Sequence, residues 1–130
     1  MADALLDTCV FIDYVRGEPK GKALLMPFLS LEKKGSYSTL TVAEIWRGET
    51  MTDRKEEIQY QAILTLMEEA SLTTSIARVA GSRLRGLSRN LQGVLFADAL
   101  IAATAEERGE PIYSRNVKDL TRFYSNVLTY

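Results

Sequence analysis

Ala4-Leu5-Leu6-Asp7-Thr8-Cys9-Val10-Phe11-Ile12 opens the chain with a short apolar run, an acid and then a helical pattern. The run from Ala4 to Leu6 predicts a short strand ending at Asp7. The stretch that follows predicts a helix through Val15, terminated by Gly17 and Pro19. The same strand-then-helix rhythm recurs downstream. A second helix is expected from Lys20 to Lys33, with Pro27 imposing a kink or a late start. Ser36 to Ser38 predicts a second strand, and Thr41 begins the next helix.

From Asp53 onward, Ile63, Leu66, Met67 and Ala70 fall at i, i+3, i+4 and i+7, one face of an amphipathic helix. Ser71 to Thr74 is a short strand or a connector. Ile76, Val79, Ala80, Leu84 and Leu87 make another helical stripe, which Asn90 and Gly93 are expected to close. Ala99 to Ala105 is apolar nearly all round and predicts a central buried helix, stopped by Gly109 and Pro111, with a strand over Ile112 to Ser114. Short strands separated by helices predict an α/β fold, because parallel neighbours need crossover connections and those helices cover both faces of the sheet.

A chain of 130 residues fits one domain spanning positions 1–130. Folding at this size hides roughly two-thirds of the unfolded surface, so a sizeable core is available. Apolar residues at 46% and charged residues at 25% match an ordinary globular protein. The net charge of −1 gives no bulk attraction for nucleic acid, so such a partner would need local cations or a bound metal. Cys9 is the only cysteine, which excludes a disulfide framework and a thiolate cluster for zinc. No run of about 18 apolar residues is present and no membrane association is expected. The expected location is cytoplasmic.

Asp7, Glu44 and Asp98 each sit where an α/β sheet delivers ligand-binding groups. Asp7 follows the first strand, Glu44 belongs to the first turn of the helix after the second strand, and Asp98 begins the buried helix. Ligands in such sheets lie outside the carboxyl ends of the strands. Three acids gathered there repel one another unless a cation compensates. The chain has no histidine, so the usual base near neutral pH is absent and oxygen donors point to Mg²⁺ or Mn²⁺. Each acid also has a plainer explanation. Thr41-x-x-Glu44 fits a capping box, Asp98 suits a helix first turn, and Asp7 suits a turn after a strand.

Leu5-Leu6-Asp7-Thr8, Thr41-Val42-Ala43-Glu44-Ile45 with Arg47-Gly48, Phe96 to Ala103, and Ser114-Arg115-Asn116-Val117-Lys118-Asp119-Leu120 together resemble the PIN-domain family, and within it the VapC-type toxins of toxin–antitoxin pairs. The resemblance spans essentially the whole chain. It implies an α/β/α sandwich around a parallel sheet and a magnesium- or manganese-dependent ribonuclease acting on RNA. It also implies a small VapB-type antitoxin as partner and a homodimer. Asp7, Glu44 and Asp98 fall on the family's three acids, and Thr8 on the hydroxyl residue after the first.

The fourth position departs from the family's Thr-x-Asp or Thr-x-Asn, offering Ser114-x-Asn116 with Asp119 three residues on. Asn116 brings no charge. Asp119 either supplies it or caps a helical turn over Leu120 to Tyr124. Ala97 stands where the family commonly has proline. Metal held by Asp7 and Asp98, with Glu44 as ligand or holding a water, would serve phosphodiester hydrolysis, with Thr8 and Ser114 supporting the ligands.

Arg47 and Arg115 adjoin the proposed site and are candidates for RNA contact, ahead of Arg78, Arg85 and Arg89, which read as a solvated helix face. Trp46 reads as core or dimer interface against base stacking, Cys9 as a small buried filler and Asp13 as an exposed helix residue. Two other readings stay open: a catalytically weak PIN-like module that binds RNA or protein, and a receiver-type phosphoacceptor domain.

Overall fold

The computed structural model describes residues 2–130, apart from the side chain of Thr50. Its strands are β1 (Ala4–Leu6), β2 (Gly35–Ser38), β3 (Glu68–Ala70), β4 (Ile112–Tyr113) and β5 (Val127–Leu128). They form one sheet in the order β3-β2-β1-β4-β5, with every neighbouring pair parallel. Chain order runs outward from β1 in both directions. The crevice between β1 and β4 is therefore the topological switch point, where the connections leave toward opposite faces.

The helices are α1 (Thr8–Val15), α2 (Pro19–Leu29), α3 (Thr39–Trp46), α4 (Arg54–Thr65), α5 (Thr74–Leu84), α6 (Arg89–Val94), α7 (Phe96–Arg108) and α8 (Val117–Leu120). A 3₁₀ turn over Glu49–Thr52 joins α3 to α4. Successive residues of β1 serve opposite faces, as the pleat requires. Ala4 and Leu6 pack with Val10, Phe11, Leu25, Phe28 and Ile63, whereas Leu5 packs with Ile101, Ala102, Ala105 and Ile112. Helices thus cover both faces of the sheet. Leu5 and Leu6 are fully buried, each contributing about 1.5–3 kcal/mol by leaving water.

α7 owes its central place to Ala99 through Ala105, all buried. The small side chains of Ala99 and Ala103 let α5 approach closely, where Ile76, Ala80 and Leu84 pack on Ala99, Leu100 and Ala103. Gly109 ends the helix at φ 66°, a left-handed conformation that glycine adopts without the Cβ penalty.

Several expected boundaries move. α2 begins at Pro19, well suited to a first helical position, and stops at Leu29 rather than Lys33, two residues past Pro27. α3 begins at Thr39, capped by Ser38, not at Thr41. The stripe over Ile63, Leu66, Met67 and Ala70 is not one helix: α4 ends at Thr65, Leu66 is exposed, and Ala70 belongs to β3. Helical spacing there is imitated by a helix end, a turn and a strand, in which Ile63, Met67 and Ala70 are buried and Leu66 is exposed. Residues 71–73 are the connector. α5 ends at Leu84, followed by Gly86 at φ 95°, so Asn90 and Gly93 lie inside α6 and Arg89 leaves the face of Arg78. β5 has no counterpart in the sequence reading.

Candidate active site

Asp7 leaves β1 with extended backbone and caps α1, its Oδ1 accepting from the Thr8 amide at 2.8 Å. Its Oδ2 accepts from the Ser114 hydroxyl at 2.6 Å, across the switch point from the end of β4. Ser114 Oγ also accepts from the Asn116 amide at 2.9 Å, which fixes its direction. Asp7 is 7% exposed. Burial raises its pKa above the usual carboxylate value, and the hydrogen bonds from Ser114 and the Thr8 amide together with the Arg115 charge pull it back.

Glu44 comes from the second turn of α3. Its Oε1 accepts from the Thr8 hydroxyl at 2.7 Å, and Thr8 Oγ1 lies 3.0 Å from the buried Thr41 hydroxyl. The capping-box explanation is therefore overturned: Ser38 caps α3 through the Leu40 amide, and Glu44 reaches across to α1 instead. Arg47 approaches Glu44 only to 3.9 Å with its side chain 78% exposed, a pair worth little in solvent.

Asp98 stands in the first turn of α7, its Oδ1 accepting from Asn116 Nδ2 at 3.1 Å. Its pKa is pushed up to about 6, first by burial, then by the charges of Asp7 and Asp119 and more weakly by Glu44; Asn116 opposes the shift. Asp98 thus feels both of the other acids. Asp119 acts on Asp98 by its charge and lies inside α8, 3.9 Å from Arg122. The capping role expected for it falls away, because the helical turn begins at Val117 with Asn116 before it.

Asp7, Thr8, Glu44, Asp98, Asn116, Arg47 and Arg115 line one open cleft of about 400 Å³. Among the described residues, no three acidic or thiol side chains stand as a ready-made ion cage. Asp7 is tied to Ser114, Glu44 to Thr8 and Asp98 to Asn116, bonds that occupy only some of the carboxylate lone pairs and leave others for an ion. The chemistry of the donors still suits a hard divalent cation: oxygen atoms only, negative, and unfavourably close without a compensating charge.

Two assignments are corrected, and Trp46 takes the core place expected for it. Asp13, expected exposed, is buried and accepts two hydrogen bonds from Arg115, at 2.6 Å from Nε and 3.0 Å from Nη2. It also accepts from the Tyr130 hydroxyl at 2.5 Å. An acid inside the otherwise apolar sequence of α1 was the available signal. Cys9 is partly buried: it packs against the core as a small filler would, and it also lines the cleft, 3.6 Å from Ser114 Oγ. Trp46 packs against the core beside Tyr60, with ring centroids 6.5 Å apart, and does not face the cleft.

The PIN domain family model matches residues 4–124. A curated relative, Ribonuclease VapC19 of Mycobacterium tuberculosis, is 28% identical over 119 residues, covering 92% of this chain and 93% of the relative. Among solved structures, DNA-bound VapBC from Salmonella typhimurium superposes with a TM-score of 0.77 at 20% identity, over 100% of this chain and 98% of that one. A toxin–antitoxin complex from Klebsiella pneumoniae gives 0.72 at 23% identity, over 97% and 96%. These structures share the fold, and the family match carries the assignment: with its parallel five-stranded sheet and an acid-lined cleft at the switch point, this chain belongs to the PIN domain family.

Proposed function

We propose that the protein is a metal-dependent endoribonuclease, the toxin of a type II toxin–antitoxin pair, hydrolysing RNA phosphodiesters in the cleft at the switch point. The observation that carries this reading is the meeting of Asp7, Glu44 and Asp98, from three separate elements, on one cleft, where burial first and then the charges of the neighbouring acids raise the Asp98 pKa. The relative named a ribonuclease and the structural neighbours solved as toxin–antitoxin complexes support it. Membership of the family displaces the receiver-type alternative.

In this reading Asp7, Glu44 and Asp98 would hold Mg²⁺ or Mn²⁺, with Asn116 and the charge of Asp119 at the fourth position. When bound, the ion supplies compensating positive charge and activation of water toward the phosphodiester. Ser114 and Thr8 orient the carboxylates of Asp7 and Glu44 by their hydroxyl donors, and Arg47 and Arg115 stand at the rim to meet phosphate. A VapB-type antitoxin partner, a homodimer and a cytoplasmic location belong to the same proposal. The uncharged Asn116 and the lack of a ready-made cage favour one alternative, a catalytically weak module that binds RNA or protein.

Cleavage of single-stranded RNA with Mg²⁺ or Mn²⁺, comparing wild type with Asp7→Asn, Glu44→Gln and Asp98→Asn, separates the two. Cleavage lost in every variant supports the nuclease. Activity that persists unchanged in all three rejects this site.

A further inference from the structure

Arg115 lines two pockets at once. It forms part of the acid-lined cleft, and it also walls a neighbouring pocket of about 320 Å³ together with Asp13, Arg16, Glu18, Lys20 and Tyr130. Its guanidinium is not free to swing. Nε and Nη2 grip Asp13 as a two-pronged fork, and Asp13 is itself held by the Tyr130 hydroxyl. The Asp13 side chain is 8% exposed while that of Arg115 is 55% exposed, so the fork is anchored inward and the rest of the guanidinium faces solvent. Arginine carries five N–H donors, and Asp13 uses two, leaving donors at Nη1 for an outside acceptor.

The second pocket differs from the first in sign. Arg16 and Lys20 are exposed on its wall, and with Arg115 they outweigh Glu18 and the internally paired Asp13. A strand leaving an acid-lined site needs its next phosphates met by cations, and here more of them lie on this side. The opposite flank of the cleft, around Val94, Phe96 and Ala97, contributes the acids Glu44 and Asp98 with Arg47 as its cation.

We propose that Arg115, locked by Asp13 and Tyr130, is the hinge-point of a phosphate subsite completed by Arg16 and Lys20, which binds the RNA backbone next to the bond to be cut. This rests on the nuclease reading for its substrate. The subsite takes backbone phosphate without reading base identity and sets the direction in which the strand crosses the cleft. Asp13 and Tyr130 are positioning residues that act through Arg115.

The test is binding of a short, mixed-sequence, fluorescent single-stranded RNA in EDTA, measured across a salt series for wild type, the double variant Arg16→Ala with Lys20→Ala, Arg115→Lys and Tyr130→Phe. The double variant changes exposed residues only. It is expected to bind about 10-fold more weakly at low salt and to lose about 0.7 of a unit of salt slope per removed cation. With metal present it should raise KM and leave kcat unchanged. Arg115→Lys keeps the charge but not the fork, so weakened binding there, with partial weakening in Tyr130→Phe, supports the lock. Equal affinity and slope in wild type and double variant, including no measurable binding by either, overturns the subsite. A wild type that binds with the expected slope yet never cleaves keeps the subsite and removes the nuclease reading; one that cleaves with no change in the double variant does the reverse.

Discussion

Ser114 and Asp7 lie 107 positions apart in sequence, yet the serine hydroxyl donates to the aspartate Oδ2 over 2.6 Å, joining the ends of β4 and β1 at the switch point. This bond is the largest of the influences that pull the Asp7 pKa down against its burial. Removing it in Ser114→Ala should raise that pKa further and loosen the carboxylate. Loss of about 10-fold or more in cleavage is expected, with the acid limb of the pH–rate profile moved to higher pH. A profile that stays in place would assign Ser114 to turn structure alone.

Asp98 gives a prediction about stability in the presence of chelator. Its folded pKa of about 6 lies above the ordinary 3.8, so the folded state holds this proton more tightly than the unfolded chain. The resulting stabilisation is complete below pH 3.8, declines as pH rises between 3.8 and about 6, and is absent above that window. At neutral pH the ionised group is a liability. The full shift corresponds to about 3 kcal/mol, and half-exposure to solvent reduces this to about 1–2 kcal/mol. Asp98→Asn should therefore be more stable than wild type by about that amount at pH 7, with the gain vanishing near pH 4. Denaturant titrations at the two pH values check this, and an equally large gain at both would point to some cause other than charge.

Thr8→Val keeps the shape at the start of α1 but deletes the donor to Glu44. Cleavage should fall about 10-fold while the helix persists, because Asp7 continues to cap it through the Thr8 amide. Circular dichroism alongside the rate measurement distinguishes a misplaced Glu44 from a misfolded chain.

Gly21 sits where α2 crosses α1. A Cβ there would meet the Asp13 Cβ at 2.6 Å and its carbonyl carbon at 3.1 Å. Gly21→Ala should force the helices apart and cost about 1–3 kcal/mol, disturbing Asp13 and through it Arg115. A thermal melt that fails to drop would mean the two helices separate without strain.

The parts of the site legible in the sequence were those announced by local context. Asp7 ends an apolar run and Asp98 begins an apolar helix, so both could be placed at the carboxyl edge before any contact was known, whereas Ser114 entered through the family resemblance. Glu44 was expected in the first turn of its helix and stands in the second, since that helix starts at Thr39, and its partner is Thr8. The Asp13–Arg115–Tyr130 cluster was not legible, because Asp13 meets partners 102 and 117 positions away and only the fold brings them together. The false stripe through Ala70 shows a related limit. Apolar spacing by itself does not separate a continuing helix from a helix end, a turn and a strand, and the two-residue strand β5 is too short to carry a period of its own.

The account turns on one divalent ion shared by three side chains, and a Mn²⁺ titration followed by the ion's paramagnetic signal reads this without reference to any RNA. Wild type should bind Mn²⁺ at a saturable site, and Asp7→Asn, Glu44→Gln and Asp98→Asn should each weaken that binding by about 10-fold or more. Wild-type affinity retained in all three variants would contradict the claim that these acids share an ion.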